Sequence, residues 1–234
     1  SITKHVIMLW IAAAVTVGFA IWATRRYREN IDAQPKGLSH IFEILMNFIR
    51  EDIVNPNIGV SYGKMWAPLI TTYFIFILIC NFLGMVPFFD LIPGGSSTVT
   101  GNFNTTAGLA CITFFAIIIA GTMKHGFLGY WKNMIPGNVP APVLLILIPI
   151  EILGMFVRPF ALTMRLGANM TAGHIGMLAI FALPIILSSA PVGIASILLN
   201  TGIYFLEMIV SFVQAYVFTL LSAVFIGMAI HAEH

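Results

Sequence analysis

The sequence predicts an all-α polytopic membrane protein: five membrane-crossing helices plus one interfacial amphipathic helix, the last two spans long, strongly tilted and paired as an antiparallel hairpin. Composition is the first ground. Of 234 residues, 59% are hydrophobic and only 9% charged, against about 25% charged in an average soluble domain. A soluble fold of this size has no interior large enough for so much apolar surface. A soluble enzyme, a disordered chain and a disulfide scaffold are therefore excluded. The second ground is length: five apolar stretches reach the roughly 20 residues that cross a bilayer at about 1.5 Å per residue. The third is charge: lysine and arginine crowd into alternate connections, as orientation in a membrane requires.

Residues 1–24 hold the first span, an apolar run from Val6 to Ala23. Arg25, Arg26 and Arg28 stop it, and no small-residue cleavage site follows, so it reads as a span rather than a cleaved leader. Residues 36–55 read as the interfacial helix. Leu38, Ile41, Phe42, Leu45, Phe48 and Ile49 fall on one stripe; Ser39, Glu43, Asn47, Arg50 and Glu51 fall on the other. A helix packed on a partner subunit explains the same pattern. Residues 66–123 form a helical hairpin from the runs Trp66–Phe89 and Asn104–Met123.

The stretch 142–232 carries two longer runs, Pro142–Leu183 and Pro191–Ile230. Each is about 40 residues, hence about 60 Å of helix, against about 30 Å of hydrocarbon. Breaking the first near Arg158 leaves fragments barely long enough to span, so strong tilt with kinks at Pro149 and Pro159 is expected. Arg25, Arg26, Arg28, Lys36, Arg50 and Lys64 lie between the first two spans, and Lys124 and Lys132 follow the third. The connections 90–103 and 184–190 contain neither Lys nor Arg. The amino terminus is expected outside and the carboxyl terminus in the cytoplasm. The whole chain, 1–234, reads as one membrane domain.

Between Asn133 and Ala232 only Glu151, Arg158, Arg165 and Glu207 are charged. Charge at membrane depth is costly and marks function. The helical neighbours of Arg165 are Arg158, Ala161, Leu162, Ala168, Asn169 and Ala172, and none is acidic. Either this arginine snorkels to the interface, or its counter-carboxylate belongs to another polypeptide. The small Ala161, Ala168 and Ala172 favour close approach of a foreign helix, and arginine holds its proton permanently. A hairpin turning at Ala190–Pro191 sets Arg165 across from Gln214 and His174 across from Glu207. Glu207 shares a polar stripe with Asn200, Tyr204, Ser211 and Gln214. Such a stripe is interhelical glue or the wall of a water-filled path. The ionisable Glu207–His174 pair tilts the reading toward a proton path. In the expected orientation that pair lies in the outer half, and Glu151 lies toward the cytoplasm, about 21 Å of helix from Arg165. Arg158 reads as an interfacial arginine.

No other chemistry is visible. The chain has no phosphate-binding glycine loop, zinc-protease motif or Cys-x-x-Cys. Cys80 and Cys111 lie in apolar runs and read as small core residues. The net charge of +2 without a dense basic cluster gives no reason to expect nucleic acid. Neither metal nor cofactor is expected. The competing class is a quinone- or haem-handling subunit of a respiratory complex, although only His174 lies deep enough to serve as a haem ligand. A stand-alone transporter predicts internal repeats with broken helices, and no repeat is found.

The run Arg165-Leu166-Gly167-Ala168-Asn169-Met170-Thr171-Ala172-Gly173-His174 resembles the a-subunit family of F-type ATP synthases, with Pro149-Ile150-Glu151 before it and Glu207 to Gln214 after it. The segments Asn81 to Pro87 and Asn102 to Thr105 resemble that family's middle segments. The resemblance implies the stator half of a rotary proton motor in a bacterial inner membrane, without catalysis of its own. It implies as partners a c-subunit rotor ring, a b-subunit peripheral stalk and the rest of the F-type complex. It implies a rotor carboxylate opposite Arg165. It also implies an outer half-channel of Glu207, His174, Asn169, Gln214, Ser211, Tyr204 and Asn200, and an inner half-channel with Glu151. Two positions depart from the family pattern: Gly167-Ala168 stand where Phe-Gly is usual, and Asn102 stands where an acid is frequent.

Overall fold

The computed structural model describes residues 4–29, 37–85, 99–126, 129, 141–187 and 190–231. Among the described residues there is no strand. In chain order the elements are α1 (Lys4–Glu29), α2 (Leu38–Phe48), a π-helical segment (Ile49–Val54), α3 (Asn55–Ile58) and α4 (Val60–Met85). A short 3-10 turn (Val99–Gly101) follows, then α5 (Phe103–His125), α6 (Ala141–Leu187) and α7 (Ala190–Ile230). Five of these, α1, α4, α5, α6 and α7, are long and apolar enough to cross a membrane. They are the five expected spans. The last residues of the second expected run, 86–89, lie outside the described residues.

Local chemistry explains where the helices start and stop. Gly59 breaks the chain after α3 with φ of 87°, a conformation that only glycine adopts cheaply. α4 then starts at Val60, earlier than the hydropathy run suggests. Pro68 inside α4 removes one backbone donor, and the helix continues across it. Asn102 caps α5 by accepting a hydrogen bond from the Asn104 backbone N–H at 3.0 Å. At the other end of α5, Lys124 and His125 complement the helix dipole, and Gly126 terminates it with φ of 75°. The His125 Nε2 lies 3.1 Å from the Ile230 carbonyl, so it ties the end of α5 to the end of α7.

α6 contains 47 residues and α7 contains 41, about 70 and 60 Å of helix. α6 stays helical through Pro149, Pro159 and Pro184. Of the two expected solutions to its length, division into two helices is not the one observed.

The core is formed by α4, α5 and α7. Ile70, Phe74 and Ile77 of α4 are fully buried with Phe218 and Ile226 of α7. Tyr73 and Phe218 meet edge to face at 5.6 Å. Ile49, Ile53, Val54 and Ile58 close this core at one end. There Gly227 of α7 lies against the Asn57 carbonyl, where any Cβ would collide with the oxygen.

The interfacial helix differs from its expected pattern. Phe42 and Ile49 are buried, and Phe42 meets Phe19 of α1 at 5.7 Å. Phe48 lies 6.0 Å from Tyr216 of α7. Ile41 and Ile44 are exposed, however, and Ser39 is buried. The inward side of α2, with Ser39, Phe42 and Ile49 buried and Met46 half-buried, is a regular helical stripe turned by about one residue from the expected one. One edge of α2 packs on its own chain, and the Ile41–Ile44 edge is left uncovered.

Candidate functional site

The site lies where α6 and α7 run side by side. Arg165 is on α6 and exposed. It has no hydrogen bond or ion pair with any other described residue. Arg158, seven residues earlier and so on nearly the same face of α6, is half-buried, with its guanidinium carbon 5.5 Å from the Phe225 ring centre. Its cation–π contact fastens α6 to α7, while the second arginine stands clear of its own chain.

Asn169 Nδ2 donates to Gln214 Oε1 at 3.2 Å. Gln214 is only 4% exposed, and its Nε2 has no partner among the described residues. The hairpin register expected Arg165 across from Gln214; the residue that meets it is Asn169, one helical turn along. Side chains lean toward the amino end of their own helix. In an antiparallel pair they lean toward one another, and long side chains meet with an offset that equal residue counting ignores.

Glu207 is 4% exposed and therefore buried. Its carboxylate lies against the bare Cα of Gly173, where an added Cβ would collide with Oε1. Glu207 thus faces the residue next to His174. The side chains of His174 and Glu151 lie outside the described residues; both backbones belong to α6. Nearer the connection, Asn200 Nδ2 donates to the Met177 carbonyl at 3.3 Å, and Ser196 Oγ donates to the Ile180 carbonyl.

The polar stripe on α7 divides in two. Asn200, Glu207 and Gln214, seven residues apart, meet α6. Tyr204 and Ser211, also seven apart, turn to α4: the Tyr204 hydroxyl donates to the Met85 carbonyl at 3.1 Å, and Ser211 Oγ lies 3.4 Å from Met85 Sδ. Seven residues are two turns, so each set keeps its own face. The stripe is therefore glue on both sides, yet Asn200 Oδ1 and Gln214 Nε2 are buried without partners among the described residues.

Three residues were missed by site reasoning. Asn81 is fully buried, and its Nδ2 donates to the Ser211 carbonyl at 3.1 Å. An amide in the middle of an apolar run was the available signal, because such a group must find a partner. Met85 carries no comparable signal. Gly173 is read only as part of a motif until the carboxylate against it is seen. Asn102, in place of a frequent acid, serves as the cap of α5. Among the described residues no cluster of three or more His, Cys, Asp and Glu is placed to hold a metal.

Comparison with known proteins identifies the family. A model of the family described as ATP synthase A chain matches residues 6–227. The chain is similar to ATP synthase subunit a of Chloroherpeton thalassium, with 41% identity over 236 residues, covering all of this chain and 68% of the relative. It is similar to ATP synthase subunit a 2 of Chlorobaculum tepidum, with 45% identity over 231 residues, covering 98% of this chain and 63% of the relative. Subunit a of Myxococcus xanthus is 41% identical over 236 residues, covering all of this chain and 74% of the relative. The chain spans about two thirds of the length of such relatives. These matches do not favour a quinone- or haem-handling subunit. A helical membrane chain with a lone arginine on an uncovered helix face, matched over nearly its whole length, belongs to the family of ATP synthase a subunits, the proton-translocating membrane subunits of the F-type complex.

Proposed function

We propose that this chain is the proton-conducting stator of a rotary F-type ATP synthase, with Arg165 as the fixed charge facing a carboxylate on a c-subunit ring. The observation that carries the proposal is the isolation of Arg165. It is exposed on α6, and no described acid of its own chain reaches it. The small Ala161, Ala168 and Ala172 beside it on α6 are exposed as well. A rotor carboxylate is neutral while it faces lipid, where a bare charge is expensive. Opposite Arg165 it gives up its proton. An ion pair at 4 Å and an effective dielectric of 20 is worth about 4 kcal/mol. A membrane potential supplies about 2.3 kcal/mol per charge per 100 mV. These magnitudes are comparable, so the pair forms and separates under physiological driving force. The same fixed charge blocks protons from passing directly between half-channels.

The outer half-channel in this proposal is the α6–α7 seam, with Glu207 and His174 as the ionisable pair and Asn169, Gln214 and Asn200 along it, and Ser211 and Tyr204 on the adjoining face of α7 toward α4. The unpartnered Gln214 Nε2 and Asn200 Oδ1 support that reading, because a water file supplies the donors and acceptors they lack. Glu151 serves the inner half-channel. The amino terminus lies outside a bacterial plasma membrane and the carboxyl terminus in the cytoplasm, as the lysines and arginines of alternate connections require. α6 and α7 exceed the hydrocarbon thickness about twofold, so they lie steeply inclined along the ring. A b-subunit stalk holds the chain against rotation. The test is Arg165→Ala in the complex reconstituted into vesicles: ATP-driven proton pumping is expected to vanish, and unchanged coupled pumping would sink the assignment.

A further inference from the structure

The back of α6, opposite Arg165, is occupied by one aromatic ring. Gly167 is two residues from Arg165, hence about 200° around the helix, and it is buried. An ideal Cβ at Gly167 would stand 2.9 Å from Cε1, 3.1 Å from Cδ1 and 3.4 Å from Cζ of Phe103. The ring therefore sits where a side chain of α6 would otherwise project. Its neighbours Leu166 and Met170 on α6 are 0% and 2% exposed, so the α6 side of the contact is packed. Phe103 itself is 44% exposed, and its backbone is fixed by the start of α5. It is the first residue of α5, directly after the Asn102 cap, and its carbonyl accepts from Thr106 Oγ1 at 3.1 Å.

We propose that Phe103 is a positioning residue: its ring, seated on the bare Cα of Gly167, is the spacer that sets how far α6 stands off α5 and so how far Arg165 projects toward its partner carboxylate. The inference rests on the motor reading above and adds a residue outside the charged and polar site. A helix is stiff across its own diameter, so thickness added behind it moves the front. The attraction between unit charges falls as the inverse of distance. At an effective dielectric of 20, the first ångström of displacement from a 4 Å pair changes its equilibrium constant about fourfold. Both signs of error are harmful: too thick a spacer crowds the rotor, and too thin a spacer withdraws the arginine.

The test uses the whole complex in vesicles and three variants: Gly167→Leu, Phe103→Ala and the two together. Phe103→Ala, which withdraws the arginine, is expected to lower ATP-driven proton pumping about fourfold, and Gly167→Leu, which crowds the rotor, is expected to lower it as well, while the c ring still co-purifies at the parent level. The double variant restores the combined thickness and is expected to return within about twofold of the parent. A role confined to folding would lower co-purification and pumping together. Pumping at the parent level in Gly167→Leu overturns the proposal, and so does a loss that Phe103→Ala fails to rescue. If leucine prevents assembly, Gly167→Ala provides a smaller step in the same direction and a smaller loss by crowding; absence of that loss, or of its rescue by Phe103→Ala, is equally decisive against the spacer. The motor reading fails separately, by retained pumping in Arg165→Ala, whatever the spacer variants do.

Discussion

α4 and α6 are almost equally apolar, yet 56% of an 18-residue stretch of α4 is buried by the rest of the chain and only 6% of such a stretch in the part of α6 beyond Arg165. α4 runs through the middle of the bundle, with Ile70, Phe74 and Ile77 fully buried. α6 leans on α5 and α7 along one edge and presents Phe156, Phe160 and Ile175 outward. In water, a helix as apolar as α6 would have to be covered. In a bilayer, lipid tails are as good a solvent as leucine, so apolarity does not decide which helix is inside. What decides it is close packing and polar contact between helices. α4 reaches α7 through Asn81, which is fully buried. α6 carries its decisive polar group, Arg165, on the side its own chain leaves open.

Substitutions on the two helices should separate them. The largest contrast is expected between Phe74→Ala and Phe160→Ala. The first opens a cavity in the α4–α7 core and should cost about 3 kcal/mol of resistance to unfolding in micelles. The second removes a ring that its own chain does not cover and should cost nearly nothing; equal costs would break the comparison. Next come two glycines. Gly227→Ala drives a methyl into the Asn57 carbonyl and should destabilise by about 1–3 kcal/mol. Gly176→Ala on α6 meets nothing within 4 Å and should stabilise the helix by about 0.5–1 kcal/mol. Thermal denaturation of both variants measures the difference. The smallest effect belongs to the α6–α7 seam. Replacing Asn169 by Leu removes one interhelical hydrogen bond, worth about 0.6 kcal/mol within a membrane bundle. A double-mutant cycle with Gln214→Leu measures it, and a coupling near zero would remove Asn169–Gln214 as a packing contact.

The number and type of long helices were legible because each is written in one contiguous apolar run, and length against bilayer thickness needs no partner. Arg165 was legible for a related reason: charge at that depth is conspicuous, and its helical neighbours can be counted. The two-sided division of the α7 stripe was not. Spacings of three, four and seven put Asn200, Tyr204, Glu207, Ser211 and Gln214 on one broad face, and only the positions of α4 and α6 split that face. Gln214, expected across from Arg165, meets Asn169 one turn along, because residue counting ignores the lean of side chains. The burial of Ser39 and the exposure of Ile41 were not legible either: the side of α2 that meets α1 and the core is turned by about one residue from its apolar stripe, and only the neighbouring helices decide that.

Composition and order alone settle that this chain lives in a membrane, how many times it is long enough to cross, and which arginine lacks a local counter-charge, since all three depend on near neighbours along one helix. Three-dimensional packing alone settles that α4 is central and α6 peripheral, that Glu207 rests on Gly173, and that Phe103 fills the space behind Arg165. Those contacts join residues far apart in the chain, and in a lipid solvent no hydropathy difference distinguishes the face that meets protein from the face that does not.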